Sequence, residues 1–177
     1  MHTTTAPHYG IVASAETAAA MFKGNSGQHR IGDSILTTIN FRKRDKRLYK
    51  KSDSWFFDVW QPEDISRTEC WELTPGSTWH GFKDIDHRHM YLDPVKITLL
   101  TPGMDHQGAM TPFGIPASIV ARYLDEHDII VEKTGPYNLL FLFSIGIDKT
   151  RALSLLRALT EFKRAFDLNL KVKNMLP

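Results

Sequence analysis

Ile130-Val131-Glu132-Lys133-Thr134-Gly135-Pro136-Tyr137-Asn138-Leu139-Leu140-Phe141-Leu142-Phe143-Ser144-Ile145-Gly146-Ile147-Asp148 sets a carboxylate, a lysine and a Thr-Gly-Pro-Tyr turn between two apolar segments. Short apolar runs bounded by Gly and Pro read as buried strands, so this stretch predicts two strands joined by a turn. A loop between buried strands is where a rigid scaffold displays a functional group. Glu132 is therefore the first candidate for a ligand contact, and a solvated surface carboxylate is the alternative.

Outward from that stretch, Ile115 to His127 reads as a helix with Pro116 in its first turn and Ile119, Val120, Tyr123 and Leu124 on one face. Asp148 can cap a last helix whose Leu155, Leu156, Leu159, Phe162 and Phe166 recur at helical spacing. Val95 to Leu100 alternates like a half-buried strand, and Leu168 to Val172 alternates again. Trp55-Phe56-Phe57-Asp58-Val59-Trp60 is an aromatic block ended by Gln61-Pro62, and the pattern from Glu63 to Asp93 is irregular. Nearer the start, Tyr9 to Ala13 looks strand-like, and Ser14 to Lys23 is rich in helix formers with Gly24-Asn25 as its stop. A second helix is expected after Asp33 or Ser34. Helices and strands interleave, which predicts an α/β or α+β sheet protein.

The 177 residues suffice for one domain with a real core, or for part of a larger one. A hydrophobic content of 42% and a charged content of 24% are those of a soluble globular chain, and a net charge of +2 does not single out a polyanionic partner. The single Cys70 excludes an internal disulfide and a cysteine-based zinc site, which fits a reducing cytoplasm. No apolar run is long enough to span a bilayer, and the N-terminus has no signal-peptide pattern. The abrupt ends predict a piece of something longer.

Gly81 to His89 matches G-x5-H-x-H, the start of a cupin-type metal motif. The rest of that motif fails, with Asp93-Pro94 and Leu100 where an acid and a glycine are wanted. Polar surface histidines are expected and no metal. The basic run Arg42 to Lys51 could meet phosphates, but no nucleic-acid module accompanies it, so a solvated helix face is expected. The hydroxyls and backbone donors of Thr3-Thr4-Thr5 could hold a phosphate or form a plain polar turn.

Tyr9-Gly10-Ile11-Val12-Ala13-Ser14 with Glu16 to Met21, Trp55 to Pro62, Ser77 to Lys83 and above all Glu132 to Pro177 resemble the bacterial inducible and constitutive lysine decarboxylases of the Orn/Lys/Arg decarboxylase family. The resemblance covers essentially the whole chain. It implies an aspartate-aminotransferase-like fold dependent on pyridoxal 5'-phosphate, with residues 1–90 as the end of the major cofactor-binding region and 91–177 as the following smaller α/β subdomain. It implies conversion of L-lysine to cadaverine and CO2 by a cytoplasmic homo-oligomer, dimers assembling to a decamer, with no nucleic acid or membrane partner. The family's cofactor lysine stands in a Ser-x-His-Lys motif, and Lys23, Lys96, Lys133 and Lys149 all lack that context. The chain is therefore expected to be a fragment that is inactive alone. A non-catalytic remnant, a subunit-interaction fragment, or an arginine or ornithine decarboxylase relative are the alternatives.

By the same resemblance, Glu132 matches the glutamate that meets the distal amino group of the substrate. Thr4 matches a threonine that reaches the cofactor phosphate of the neighbouring subunit. Gly24, Lys171 and Asn174 fall on the family's site for the alarmone ppGpp. An arginine is usual at position 171, and lysine loses its bidentate phosphate geometry. Asp128 stands where a helix-terminating glycine is usual, so a left-handed conformation there should cost modest stability.

Overall fold

The structure is a computed structural model that describes residues 8–51 and 55–176. The chain divides into two compact units, Met1–Asp33 and Ser34–Pro177.

In the first unit, helix α1 spans Tyr9–Phe22 and buries none of its residues. The strand-like look of Tyr9 to Ala13 is overturned, because the N–H of Ile11 and of Val12 both bond the His8 carbonyl in a helical first turn. Extending an Ala-rich helix costs far less than pairing a new strand once its nucleus exists. Gly24, with φ +71°, ends the helix as expected. Gly27 packs so tightly on the carbonyl of Phe22 that an added Cβ would lie 2.2 Å from the oxygen. Helix α2, Asn25–Lys51, therefore starts well before Asp33.

The second unit is built on a four-stranded antiparallel sheet of order β1-β2-β4-β3, with β1 at Asp58–Val59, β2 at Lys96–Leu100, β3 at Lys133–Thr134 and β4 at Asn138–Leu142. The register places Ile97 opposite Phe141 and Leu99 opposite Leu139. All four are buried on one face, each fully buried aliphatic contributing roughly 1.5–3 kcal/mol. Against them pack α3 (Ala117–Asp125) through Val120, Tyr123 and Leu124, and α4 (Lys149–Asp167) through Leu155, Leu159 and Phe162. Asp148 caps α4, its carboxylate accepting from the Arg151 N–H at 2.8 Å.

Two helix ends share one device. At α3, the Ile129 N–H bonds the Leu124 carbonyl and the Asp128 N–H bonds that of Asp125, with Asp128 at φ 58°. At α4, the Leu170 N–H bonds the Ala165 carbonyl and the Asn169 N–H bonds that of Phe166, with Asn169 at φ 51°. Both are Schellman closures with a left-handed residue that glycine would occupy at lower cost. The second closure overturns the strand expected over Leu168 to Val172. The chain turns at Asn169 and enters a short helix, α5 (Val172–Met175).

The irregular segment after β1 forms its own small cluster, in which Ile65, Leu73 and Leu92 are buried against Trp60, Trp71 and Trp79. His80 is buried there, its Nδ1 accepting from the Phe82 N–H at 3.0 Å. Since β1 pairs with β2, segments on both sides of residue 90 share one sheet.

Candidate functional site

Glu132 stands at the mouth of the β3–β4 hairpin. Its N–H donates to the Leu140 carbonyl at 2.9 Å, and Gly135 and Asn138 close the turn with a bond of 2.9 Å. The turn is fastened on two further sides. The Pro136 carbonyl accepts from Ala117 at the start of α3, and the Tyr137 carbonyl accepts from Thr101 after β2, both at 2.9 Å. The Tyr137 ring lies against Gly103 and Gly114, where an added Cβ would come within 2.2 and 2.8 Å of it. Only glycine admits that ring, so these two positions fix the turn from beneath.

The two strands differ in burial from the expectation. Strand β4 is half-buried, but β3 is an exposed edge. Glu132 is accordingly exposed, and no hydrogen bond or ion pair engages its carboxylate among the described residues. The arrangement is a rigid mount for an open carboxylate, suited to a cation.

Thr4 lies outside the described residues. Gly24 belongs to the unit Met1–Asp33, where nothing approaches within 4 Å of a Cβ built on it. Lys171 and Asn174 share the turn that opens α5, the Asn174 N–H bonding the Lys171 carbonyl at 2.8 Å, and both side chains are exposed. His87 and His89 sit on an exposed turn, with His87 3.6 Å from Glu72. Cys70 is half-buried in a short 3-10 turn, Thr68–Trp71.

The basic run departs most from its reading as a solvated helix face. Arg42 and Asp45 are both fully buried. Arg42 donates to the Trp60 carbonyl at 3.3 Å, to the Gln61 side chain at 3.4 Å and to the Lys96 carbonyl, tying α2 to the strands β1 and β2. Burial pulls its pKa down to about 10, against the opposing pull of Asp93. Among the described residues neither carboxylate oxygen of Asp45 is in a hydrogen bond of good geometry. Burial, seconded by repulsion from Asp58, pushes its pKa up to about 8. Trp55 opposes that shift, although its indole N–H completes no bond of good geometry either. Nearby, His106 Nε2 meets the Asp58 carboxylate at 2.7 Å, and this bond holds the imidazole above its ordinary pKa against partial burial. The spacing of charges along α2 gave no sign of which would turn inward, since the i, i+3 pair Arg42 and Asp45 looks like any surface pair.

Among the described residues, Lys163 is the one buried lysine. It pairs with Asp167 and lies 5.1 Å from the centre of the Phe56 ring. An amine committed in this way is not available to an aldehyde cofactor.

The model of the Orn/Lys/Arg decarboxylase major domain matches residues 1–151. Fold and sequence together define a piece of a fold-type I enzyme domain of the kind that uses pyridoxal phosphate. The chain belongs to the Orn/Lys/Arg decarboxylase family. It is 75% identical over 177 residues to the inducible lysine decarboxylase of Escherichia coli K12, covering all of this chain and 25% of that protein. The solved lysine decarboxylase of Francisella novicida superposes with a TM-score of 0.91 at 49% identity, over 99% of this chain and 24% of that one. The solved constitutive lysine decarboxylase of E. coli superposes with a TM-score of 0.88 at 63% identity, over 99% and 25%. The chain thus spans about a quarter of the length of these relatives. The described residues supply no lysine suited to the pyridoxal phosphate aldehyde: none of their lysines has the family's motif, and the buried one is engaged.

Proposed function

We propose that this chain is part of a lysine decarboxylase that converts L-lysine to cadaverine and CO2 with pyridoxal phosphate, and that Glu132 receives the distal ammonium of the substrate. The observation that carries this reading is the open carboxylate on a hairpin fastened at Ala117, Thr101 and Tyr137. The identity of the chain to lysine decarboxylases supports it. On an exposed surface, a carboxylate–ammonium pair is worth roughly 0–1 kcal/mol. Walled off from water in a complete site, the same charge-assisted bond contributes about 1.5–3 kcal/mol. Glu132 therefore selects the substrate only when further protein closes over the hairpin.

The reaction class requires the cofactor's electron sink, and the lysine that holds it is not among the residues of this chain. The 177-residue chain by itself is inactive on this reading. Thr4 would serve the cofactor phosphate of a neighbouring subunit, which makes the working protein a homo-oligomer. Gly24, Lys171 and Asn174 would form part of an alarmone site weakened by the lysine at 171. A cytoplasmic location fits the single cysteine, and among the described residues no helix is long and apolar enough to cross a membrane.

Two measurements test the reading. Purified chain supplied with L-lysine and pyridoxal phosphate should release neither CO2 nor cadaverine, and sustained turnover overturns the inactivity. In a complete enzyme carrying these residues, Glu132→Gln should raise KM for lysine by about tenfold or more. An unchanged KM, or a preference for arginine or ornithine over lysine in the unsubstituted enzyme, overturns the assignment.

A further inference from the structure

A cleft of about 340 Å³ lies between α2 and α4, within the second unit and away from the Glu132 hairpin. Phe41, Ala152 and Leu156 form its floor, and Lys43, Arg44, Arg47 and Lys149 stand around it. Among the described residues no acidic residue lines the cleft. Among the described residues none of the four cations takes part in an ion pair, although the same unit pairs Lys96, Arg122, Arg157 and Lys163 with carboxylates.

This concentration of charge is unfavourable as it stands. Lys43 and Arg47 are four residues apart on one helix, where like charges repel by a few tenths of a kcal/mol. Lys149 adds a fourth charge from the first turn of α4, beside the positive end of that helix. The apolar floor strengthens every charge–charge interaction above it by displacing water. A bound anion would turn the repulsion into attraction, and two guanidinium groups offer the bidentate geometry that phosphate oxygens fit.

We propose that this cleft is a binding site for a compact polyphosphate-bearing anion. Lys43, Arg44 and Arg47 lie within about 6 Å of rise on α2, and together with Lys149 of α4 they call for about four negative charges in a small ligand. A phosphate group carries roughly two, which two or three linked phosphates supply. An extended acidic peptide spreads one charge per residue and would overrun the cleft. The site shares no residue with Gly24, Lys171 or Asn174, and it does not depend on the decarboxylase reading.

The test titrates the 177-residue chain with sodium tripolyphosphate by calorimetry, with sulfate and hexaglutamate as comparison arms at matched ionic strength. One-to-one binding of tripolyphosphate is expected, weakening steeply with salt and accompanied by a higher melting temperature. Lys43→Glu with Arg47→Glu should weaken it at least tenfold, and Lys149→Gln should weaken it severalfold with circular dichroism unchanged. Lys171→Ala should leave it intact. Absence of binding at millimolar tripolyphosphate overturns the proposal. So does binding that survives Lys149→Gln and the double charge reversal unchanged, that is lost in Lys171→Ala, or that favours hexaglutamate.

Discussion

Helices α2 and α4 both feed the core of the second unit, but they do so by opposite means. Helix α4 presents Leu155, Leu159 and Phe162 at helical spacing and keeps its charges outside, apart from Lys163. Helix α2 has Phe41 in that core and beside it buries a guanidinium and a carboxylate, Arg42 and Asp45. The contrast shows that hydrophobic spacing alone does not locate an interior face. Arg42 earns its burial by capping carbonyls at the β1 and β2 ends, whereas Asp45 is relieved by taking up a proton.

The sharpest way to break the contrast is Arg42→Ala. It removes the charged donor to the carbonyls of Trp60 and Lys96 and to the Gln61 side chain, and should cost about 3–5 kcal/mol by denaturant unfolding. A cost under about 1 kcal/mol would place Arg42 among ordinary surface charges.

Asp45→Asn should act in the other direction. With a folded pKa of about 8 against an ordinary value of 3.8, the carboxyl keeps a proton in the folded state that the unfolded chain releases. Its stabilising contribution is complete below the ordinary value and is lost as pH rises to the folded one, at about 1.4 kcal/mol per pH unit. The raised pKa of His106 has the same sign, its contribution being present below the ordinary histidine value and lost as pH rises through the folded one. Unfolding measured from pH 4 to pH 8 should therefore show stability falling with pH. Asp45→Asn should flatten that slope and gain roughly 4 kcal/mol at pH 7 while changing little at pH 4. A variant with the parent's slope would return Asp45 to the charged state.

Leu159→Ala probes the conventional helix. Deleting a fully buried leucine from the α4 stripe should cost about 3 kcal/mol, independent of pH over the same range. The smallest effect belongs to Asp148→Ala, which removes the cap on Arg151 and should cost about 1 kcal/mol. If that loss equalled the Leu159 loss, the end of α4 rather than its stripe would hold the helix in place.

Much of the fold could be read from the residues themselves. Short-range chemistry carries the cap at Asp148, the stripe of α4, the stop at Gly24, the left-handed Asp128 and the paired strands around Gly135-Pro136. Where the reading failed, the decisive partner was distant or local order was misjudged. Tyr9 to Val12 looked extended yet continues a helix, and Leu168 to Val172 alternates yet closes one, because a Schellman turn at Asn169 satisfies the backbone before any strand edge does. The hairpin that carries Glu132 was legible, but the fastening of that hairpin was not. Tyr137 meets Gly103 and Gly114 across many residues, and no periodicity records such a meeting.

By itself, then, the sequence determined which segments are helices and strands wherever caps, turns and spacing agree, and it determined membership of the Orn/Lys/Arg decarboxylase family. Only the tertiary structure decided which charges lie inside and that β3 is an open edge. It alone gathered Lys43, Arg44, Arg47 and Lys149 around one cleft. The physical reason is range. Backbone hydrogen bonding and capping act over four or five residues, whereas desolvation and charge pairing depend on whatever the folded chain brings alongside.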